Sequence, residues 1–349
     1  MITGCIVVAL ECAFNKLSPA KVQCTFTLHV DDIFASSTDP LMLDALARLM
    51  QDKYHEYRRQ DGPVLGYLGM TFDFSTPGEA KVTMDGYILD LISSCDVKGG
   101  AKTPASENLF DIRESGVPGN LLATPAEAKW FHSFVAKILY AAKRILPECL
   151  TTVAFLATRV HHCAQDDLKK LIRLLRYIIA TAGRGVILRP GVVGLEVRAW
   201  IDAAYGVHSD GKSHTGSAIT VGEASTVHAK SGKQHNVTKS STEAELVGLS
   251  DSANQGFHIR NFILAQGYDI GPLILYQDNL STMALIDKGR SSSERTRHIA
   301  IRHFWLKERI SLGEAQIVHM KSELLFANLL TKPLQGPQFL SERKGLTNW

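Results

Sequence analysis

Three acidic residues in the second half of the sequence stand beside segments with a regular apolar pattern. Asp202 closes an alternating segment over 195–201, and Asp278 follows a second strand-like run over 273–276. Glu245 lies in the first turn of a helical pattern, three residues after Thr242. If the two strands are adjacent at the centre of a mixed sheet, their aspartates emerge side by side. The helix packed over them then brings a third carboxylate to the same place.

Crowded carboxylates of this kind indicate a metal site. Three neighbouring anions repel one another, so they need a positive charge between them. Oxygen ligands suit Mg²⁺. Two such ions, roughly 3.5–4 Å apart, can stabilise both the attacking water and the leaving oxygen of a phosphodiester. Carboxylates at strand ends and at a helix start are what a two-metal site for Mg²⁺ or Mn²⁺ requires, and Asp202, Glu245 and Asp278 stand at such places. Taken singly, each has another reading: Asp202 and Asp278 could serve turns, and Glu245 could be the partner in a capping box.

The elements that would position these carboxylates occupy residues 191–335. Alternation, helical spacing and turn residues predict the order βββαβααβα. The strands are expected at 195–201, 217–221, 226–229, 273–276 and 315–319, and the helices after 240 and at 281–287, 296–310 and 323–330. The candidate N-caps of the first of these helices are Ser240, Ser241 and Thr242. This order predicts an α/β (α+β) fold.

The preceding residues differ in texture. Residues 1–115 mix short strands and turns with helices predicted at 40–57 and 87–94, whereas 116 to about 185 is expected to be helical throughout. Glycines and a proline at 183–191 predict a domain boundary there. We expect 336–349 to be a tail. The length of 349 residues accommodates this two- to three-part organisation.

Six successive blocks carry a family resemblance. They are WIDAAYG, SHTGSAI, KSSTEAELVGL, YQDNLSTMALI, RTRHIAIRHFWLKE and NLLTKPL. In this order, over about 140 residues, they resemble the ribonuclease H domain of copia-type retrotransposon Pol polyproteins. The resemblance implies a ribonuclease H-like mixed five-stranded sheet with flanking helices. It also implies cleavage of the RNA strand of RNA–DNA hybrids, with Asp202, Glu245 and Asp278 as metal ligands.

Three positions in these blocks leave alternatives open. Glu243 is the second choice for the helical ligand, since STEAE holds two glutamates. Asn328 stands where the family usually has an aspartate. Its amide oxygen can ligate a cation but brings no charge, so one metal site is expected to be weakened. His298 could assist product release or contact a phosphate, or it could be structural.

The front half resembles part of a reverse transcriptase. His29-Val30-Asp31-Asp32 is similar to the palm hairpin of that family, and YLGMTFDF is similar to its primer-grip region. Residues 116–190 resemble its thumb and connection. The resemblance implies that the fingers and the first half of the palm are missing. Asp31 and Asp32 then lack their upstream carboxylate, so we expect no DNA polymerisation by this chain alone.

Basic residues cluster in two stretches of a chain whose net charge is only +3. One holds Lys230, Lys233 and Lys239, and the other holds Arg295, Arg297 and Arg302. Charge alone fits an ordinary solvated face as well as a polyanion-binding surface. In the second case we expect these residues to hold the hybrid backbone. The rest of a Pol polyprotein is a further possible partner. No apolar run is long enough to span a bilayer, and the scattered cysteines fit an intracellular, cytoplasmic or nuclear protein.

Two readings of the function compete. The leading one is a metal-dependent ribonuclease H attached to a reverse transcriptase remnant. The alternative is a catalytically inactive retroelement remnant that acts at most as a nucleic-acid-binding module, which Asn328 favours. A transposase or integrase of the same fold carries its acidic residues in the order Asp, Asp, Glu. The order here is Asp, Glu, Asp, so that class is rejected.

Overall fold

A computed structural model describes residues 6–7, 12–54, 56–189, 194–222, 225–288 and 297–349, with side chains except at 6–7, 225 and 297–303. Three sheets and two clusters of buried apolar side chains organise these residues. Within the described ranges no helix is both long and apolar enough to cross a bilayer. The described cysteines form no disulfide.

The first sheet is an antiparallel meander whose strands follow chain order. Its strands are β1 (Ile6–Val7), β2 (Ala13–Leu17), β3 (Gln23–His29) and β4 (Asp32–Ser37). Helix α1 (Pro40–Tyr54) follows and packs on β4. The tight turn between β3 and β4 places Val30 at φ 57°, a conformation that β-branched residues rarely adopt.

The second sheet has four strands, and a helical segment is inserted in the chain between the last two of them. Its strands are β5 (Val64–Tyr67), β6 (Met70–Asp73), β7 (Ala80–Thr83) and β8 (Val186–Leu188). Between β7 and β8 the chain forms α2 (Asp85–Cys95), α3 (Pro125–Ala142), α4 (Leu150–Ala157) and α5 (Gln165–Ala180). Thr124 caps α3 through a reciprocal bond with Glu127, and Pro125 occupies its first turn as predicted. The apolar faces of these helices meet in the larger core.

The third sheet is the mixed five-stranded sheet expected from the sequence. It comprises β9 (Val197–Ala204), β10 (His214–Val221), β11 (Ser225–Lys233), β12 (Leu273–Gln277) and β13 (Ala315–His319). Its spatial order is β11-β10-β9-β12-β13. Strand β10 is antiparallel to both of its neighbours, β9 and β11, whereas β12 is parallel to both of its neighbours, β9 and β13. The helices of this part are α6 (Ser241–Ala265), α7 (Leu280–Lys288) and α8 (Arg297–Ser311). Strands β9 and β12 are therefore the adjacent central pair.

The end of the chain differs from the prediction in two places. The prediction of an α-helix at 323–330 is wrong, because two short 3₁₀ turns, Ser322–Leu324 and Phe326–Leu330, occupy this segment. The segment expected to be a tail forms α9 (Gly336–Thr347), which buries Phe339 and Leu346. Phe339 packs edge-on against Tyr177 of α5, with ring centroids 5.8 Å apart. Apolar burial against α5 therefore orders the C-terminal residues.

The larger core joins the helical segment to one side of the third sheet. It contains Trp200 of β9 and Ala218 of β10 together with the buried side chains of the last 3₁₀ turn. The sheet has a second apolar layer on its other side, where α6 covers Val197, Ala199 and Ile201. Two-sided burial explains why β9 is buried at nearly every position.

Candidate metal centre

Two parallel strands and one helix bring the three predicted carboxylates together. Strand β12 pairs with β9 so that Tyr276 lies opposite Trp200. Two residues further along each chain, this register places Asp278 beside Asp202. Glu245 comes from the second turn of α6, which packs closely on β9. Each of the three residues offers a carboxylate oxygen, and these oxygens lie within 4.8 Å of one another.

The centre is largely enclosed. Asp202 is 2% exposed and Glu245 is 6% exposed, whereas Asp278 is half-buried. Oε1 of Glu245 accepts a 3.3 Å hydrogen bond from the backbone N–H of Ala203, and Oε2 accepts one of 3.3 Å from Nε2 of Gln277. Only Asp278 keeps substantial access to solvent, so it marks the open side of the centre.

Burial and mutual repulsion shape the protonation of this cluster. Burial raises the pKa of Glu245 well above its ordinary value, and the charges of Asp202 and Asp278 add to the rise. Burial also raises the pKa of Asp278, and the charge of Asp202 raises it further. The carboxyls of Glu245 and Asp278 are therefore harder to ionise than isolated ones. A divalent cation would reverse this penalty, and three carboxylate oxygens suit Mg²⁺ or Mn²⁺.

The two candidate glutamates of α6 have separate structural roles. Ser240 is the N-cap, and its side chain accepts a hydrogen bond from the backbone N–H of Glu243. The carboxylate of Glu243 turns back to accept a 2.8 Å bond from the backbone N–H of Lys239. The three-residue spacing between Thr242 and Glu245 forms no capping box, because the N-cap is Ser240 and the helix begins earlier. Glu245 is left free to face the aspartates.

Two further side chains of the site were missed by the sequence analysis. The hydroxyl of Thr331 donates a short hydrogen bond to Asp202. The ammonium nitrogen of Lys332 lies 3.3 Å from both carboxylate oxygens of Asp202. Both residues belong to the NLLTKPL block, in which only Asn328 had been considered. Their polar side chains just after a buried run were the available signal.

Asn328 is 2% exposed and fully hydrogen-bonded. Its Nδ2 donates to the carbonyl oxygens of Ser322 and Leu325, at 2.8 and 2.7 Å. Its Oδ1 accepts a 2.6 Å bond from Lys332. The amide therefore joins the centre through the lysine, and its one oxygen faces an ammonium group.

The predicted basic residues are only partly described. Lys230 and Lys239 are exposed, and Lys233 forms a 2.7 Å ion pair with Asp210. Arg295 lies outside the described residues. Arg297, His298 and Arg302 lie on α8, but their side chains are not among those described, so their predicted contacts stay predictions.

Asp31 and Asp32 occupy the exposed turn between β3 and β4, where Asp32 pairs with His29. Within the described ranges, the single cluster of three metal-ligating side chains is the one formed by Asp202, Glu245 and Asp278. The hairpin therefore finds no third carboxylate among these residues.

Comparisons with known proteins identify relatives along most of the chain. No protein-family model matches. The Pol polyproteins of transposons RE1 and RE2 from Arabidopsis thaliana are each 26% identical over 317 residues, which is 89% of this chain and 21% of theirs. That of transposon TNT 1-94 from Nicotiana tabacum is 22% identical over 339 residues, or 94% of this chain and 24% of its own. The chain thus spans about a fifth of the length of these relatives.

The fold is shared with a solved retroviral protein. The foamy viral protease-reverse transcriptase, solved with an RNA/DNA hybrid, aligns with a TM-score of 0.50 at 11% identity, over 85% of this chain and 36% of that one. A ribonuclease H1 isolated from compost matches 39% of this chain and 91% of its own, with 16% identity and a TM-score of 0.31. The chain is a homologue of the retrovirus-related Pol polyproteins of copia-type transposons.

Proposed function

We propose that this chain is a metal-dependent endonuclease that cleaves the RNA strand of RNA–DNA hybrids. The observation that carries the proposal is the convergence of Asp202, Glu245 and Asp278 within 4.8 Å, from two strands and a helix. A buried cluster of three carboxylates costs free energy in the folded protein. Such a cost is expected where the cluster binds a cation needed for chemistry.

Asp202, Glu245 and Asp278 would hold Mg²⁺ or Mn²⁺. When bound, such an ion makes water more acidic and stabilises the negative charge that develops on the phosphodiester. The protein's own contribution is to orient the ligands. Gln277 and the backbone of Ala203 hold the two oxygens of Glu245, and Thr331 holds Asp202. Preorganised ligands do not have to rearrange during the reaction.

Several polar groups could engage the scissile strand. Asp278 lies at the open side of the centre, and Lys332, 43% exposed at its side chain, reaches from solvent to Asp202. We propose that Lys230, Lys239 and the arginines of α8 contact the hybrid backbone. Recognition of a hybrid would then depend on groove shape and the 2′-hydroxyl rather than on base sequence.

Asn328 favours the alternative, a catalytically inactive remnant that binds nucleic acid. Its amide brings no charge, and its Oδ1 is already bonded to Lys332. A second divalent ion next to Asp202 would have to compete with that ammonium group. We therefore propose that one metal position is strong and that the second is weak, which predicts reduced rather than absent activity.

The rest of the chain is proposed to support this domain rather than to polymerise DNA. Strand β8 completes the second sheet at Leu188, and β9 begins the third sheet at Val197. This supports a boundary near residue 190 between a reverse transcriptase remnant, with palm at 1–115 and thumb/connection at 116–190, and a ribonuclease H domain at 191–335. Among the described residues, Asp31 and Asp32 have no third carboxylate beside them, which supports the proposal that these residues alone do not polymerise DNA.

The test is cleavage of an end-labelled RNA–DNA hybrid in Mg²⁺ or Mn²⁺, with the matching DNA duplex as a negative substrate. Asp278→Asn removes one ligand charge with almost no change in shape. Asp269→Asn, at an exposed position of the same domain, is the matched control. We expect the wild-type chain and the control to cleave only the hybrid, and Asp278→Asn to be inactive.

Absence of cleavage by folded wild-type protein with either metal would reject the enzyme. In that case hybrid binding without cleavage would support the inactive remnant. Equal cleavage by wild type and Asp278→Asn would instead reject the assignment of this centre. The cleavage would then come from another site or from a contaminating nuclease, neither of which responds to the substitution.

A further inference from the structure

A basic pocket lies between α5, the N-terminal part of α9 and the loop at 98–103, away from the three carboxylates. It has a volume of about 710 Å³. We call it the arginine pocket. Its five cationic side chains are Lys102, Arg173, Arg176, Arg184 and Arg343, and none of the residues that line it is acidic.

Neutral groups hold the arginines in place. Arg173 donates a 2.8 Å hydrogen bond to the hydroxyl of Thr103, and Arg176 donates one of 3.1 Å to the carbonyl oxygen of Lys98. The guanidinium of Arg343 lies 5.7 Å from the centre of the Phe339 ring. These contacts orient the side chains without neutralising them, so the positive charge stays available for a ligand.

Some donors of these arginines are buried without an acceptor. Among the described atoms, Nε of Arg173, Nε of Arg343 and a terminal nitrogen of Arg184 have no hydrogen-bond partner. A buried donor on a charged group is costly to leave unpaired. These three donors belong to arginines that line the pocket, so the fold leaves part of their hydrogen-bonding capacity unused.

One carboxyl lies beneath the pocket, and it offsets little of the charge. Glu148 is 3% exposed, and its Oε1 accepts a 3.1 Å bond from the hydroxyl of Tyr177. Burial raises the pKa of Glu148, while the charges of Arg343 and Arg184 act in the opposite direction. Glu148 therefore interacts with the charges of Arg184 and Arg343, and the residues that line the pocket add no further carboxyl group.

We propose that the arginine pocket binds phosphate groups of the nucleic-acid backbone and forms a second contact point for the hybrid. This rests on the hybrid substrate proposed above. The planar guanidinium matches the oxygens of a phosphate, which makes arginine well suited to this ligand. The first residue of α9, Gly336, also lines the pocket, and the N-terminus of a helix attracts anions.

The pocket lies within reach of a duplex held at the carboxylates. Gln335 lines it and is three residues from Lys332, which contacts Asp202. Three residues span at most about 11 Å. Each strand of a duplex carries one phosphate for about every 3.4 Å of its axis. A strand held at the centre therefore carries several phosphates over a distance of that order.

The test measures binding separately from cleavage. Fluorescence anisotropy of a labelled hybrid is recorded in EDTA over a range of salt concentrations. The variant Lys102→Gln/Arg176→Gln removes two exposed charges from the rim, and Arg48→Gln/Lys53→Gln removes two from α1 as the control. We expect the rim variant to bind more weakly and its plot of log K against log salt to be less steep by about 2, since each phosphate contact contributes about 0.9.

Three outcomes would count against the proposal. If wild type binds the hybrid and the rim variant has the same affinity and salt slope, the pocket is not a contact. If the control loses as much as the rim variant, the effect is one of net charge. If wild type binds no hybrid at all, the proposed function fails first.

A second arm distinguishes the source of the phosphate. Thermal unfolding is followed with inorganic phosphate and with potassium chloride at the same ionic strength. If phosphate stabilises wild type but not the rim variant, while hybrid binding is equal in both, the pocket binds a free anion. That result would overturn the nucleic-acid assignment. Weaker hybrid binding by the rim variant supports it.

Discussion

The ammonium nitrogen of Lys332 lies 3.3 Å from the carboxylate of Asp202, a residue 130 positions earlier in the chain. The contact places a basic side chain beside the candidate metal centre. It also forms one side of a bridge, because the same nitrogen donates to Oδ1 of Asn328. The neighbourhood of Asp202 is therefore shared between a lysine and any metal that binds there.

Asn328→Asp should strengthen metal binding and weaken the metal-free fold. The substitution removes the two bonds that Nδ2 donates to the carbonyls of Ser322 and Leu325 and adds a buried negative charge. In EDTA the free energy of unfolding should fall by about 1–3 kcal/mol. Added Mg²⁺ should then raise the unfolding temperature more than in wild type, and hybrid cleavage should increase.

Asn108→Asp makes the same chemical change in an exposed loop and is the control for that experiment. If Mg²⁺ stabilises Asn328→Asp no more than wild type, the amide does not limit the second metal position. Reduced activity would then need another cause.

Glu245→Gln should change how the stability of the metal-free protein depends on pH. The pKa of Glu245 is raised in the folded state, so its contribution to stability is present below its unfolded pKa of about 4.3 and is lost as pH rises through the folded value. The free energy of unfolding of wild type relative to the variant should therefore fall with rising pH, by up to about 1.4 kcal/mol per pH unit. Urea unfolding in EDTA between pH 4 and 8 measures it.

Glu243→Gln is the matched control for Glu245→Gln, since both glutamates stand at the start of α6. Stabilisation by Mg²⁺ should be lost in Glu245→Gln and kept in Glu243→Gln. The reverse result would make Glu243 the metal ligand and would contradict the assignment drawn from the geometry.

Gly216→Ala should destabilise the chain. Gly216 lies on β10 directly under the last 3₁₀ turn, and a Cβ added there would lie 2.6 Å from Cβ of Leu330 and 2.8 Å from its carbonyl carbon. The turn that holds Thr331 over Asp202 would have to move. We expect a loss of about 1–3 kcal/mol in urea unfolding, as for an overpacked core, together with slower hybrid cleavage.

Gly232 offers the control for that substitution, because it lies on the adjacent strand β11 and an added Cβ meets nothing within 4 Å. Gly232→Ala should change the free energy of unfolding by no more than about 0.5 kcal/mol. Equal losses in both variants would show that strand propensity, and not contact with the 3₁₀ turn, is responsible.

A buried histidine pair should make the fold acid-sensitive. Nε2 of His208 lies 3.0 Å from Nδ1 of His214, and burial lowers the pKa of His208 to about 4 and that of His214 to about 3. The unfolded chain takes up these protons near pH 6.5, so stability is present above that pH and is lost as pH falls towards the folded values. Each histidine contributes up to about 1.4 kcal/mol per pH unit.

His208→Phe tests this, since the ring packs beside Phe110 and Phe155 and a phenyl group suits that site. Urea unfolding between pH 7 and 4.5 should show a shallower loss of stability in the variant than in wild type. Parallel curves would mean that His208 does not carry the acid sensitivity.

The order of elements around the candidate site could be predicted from the sequence. Strand alternation and helical spacing are local properties, and they placed β9, β12 and α6 within a few residues of their observed bounds. Prediction failed at 323–330, where helical spacing was present but the residues form 3₁₀ turns over β10. It also failed at α9, whose order comes from burial of Phe339 against Tyr177. Both failures concern segments whose conformation depends on distant partners.

The sequence by itself indicated the kind of protein, because six blocks in order resemble the Pol polyproteins of copia-type transposons, and Pol polyproteins of transposons are the relatives that comparison finds. Only the tertiary structure decided which glutamate faces the aspartates. It also brought Thr331 and Lys332 into contact with Asp202. It alone gathered arginines from α5 and α9 into one pocket. The physical reason is that local periodicity reports which face of an element is buried. Contacts between residues more than a hundred positions apart depend on how those faces pack.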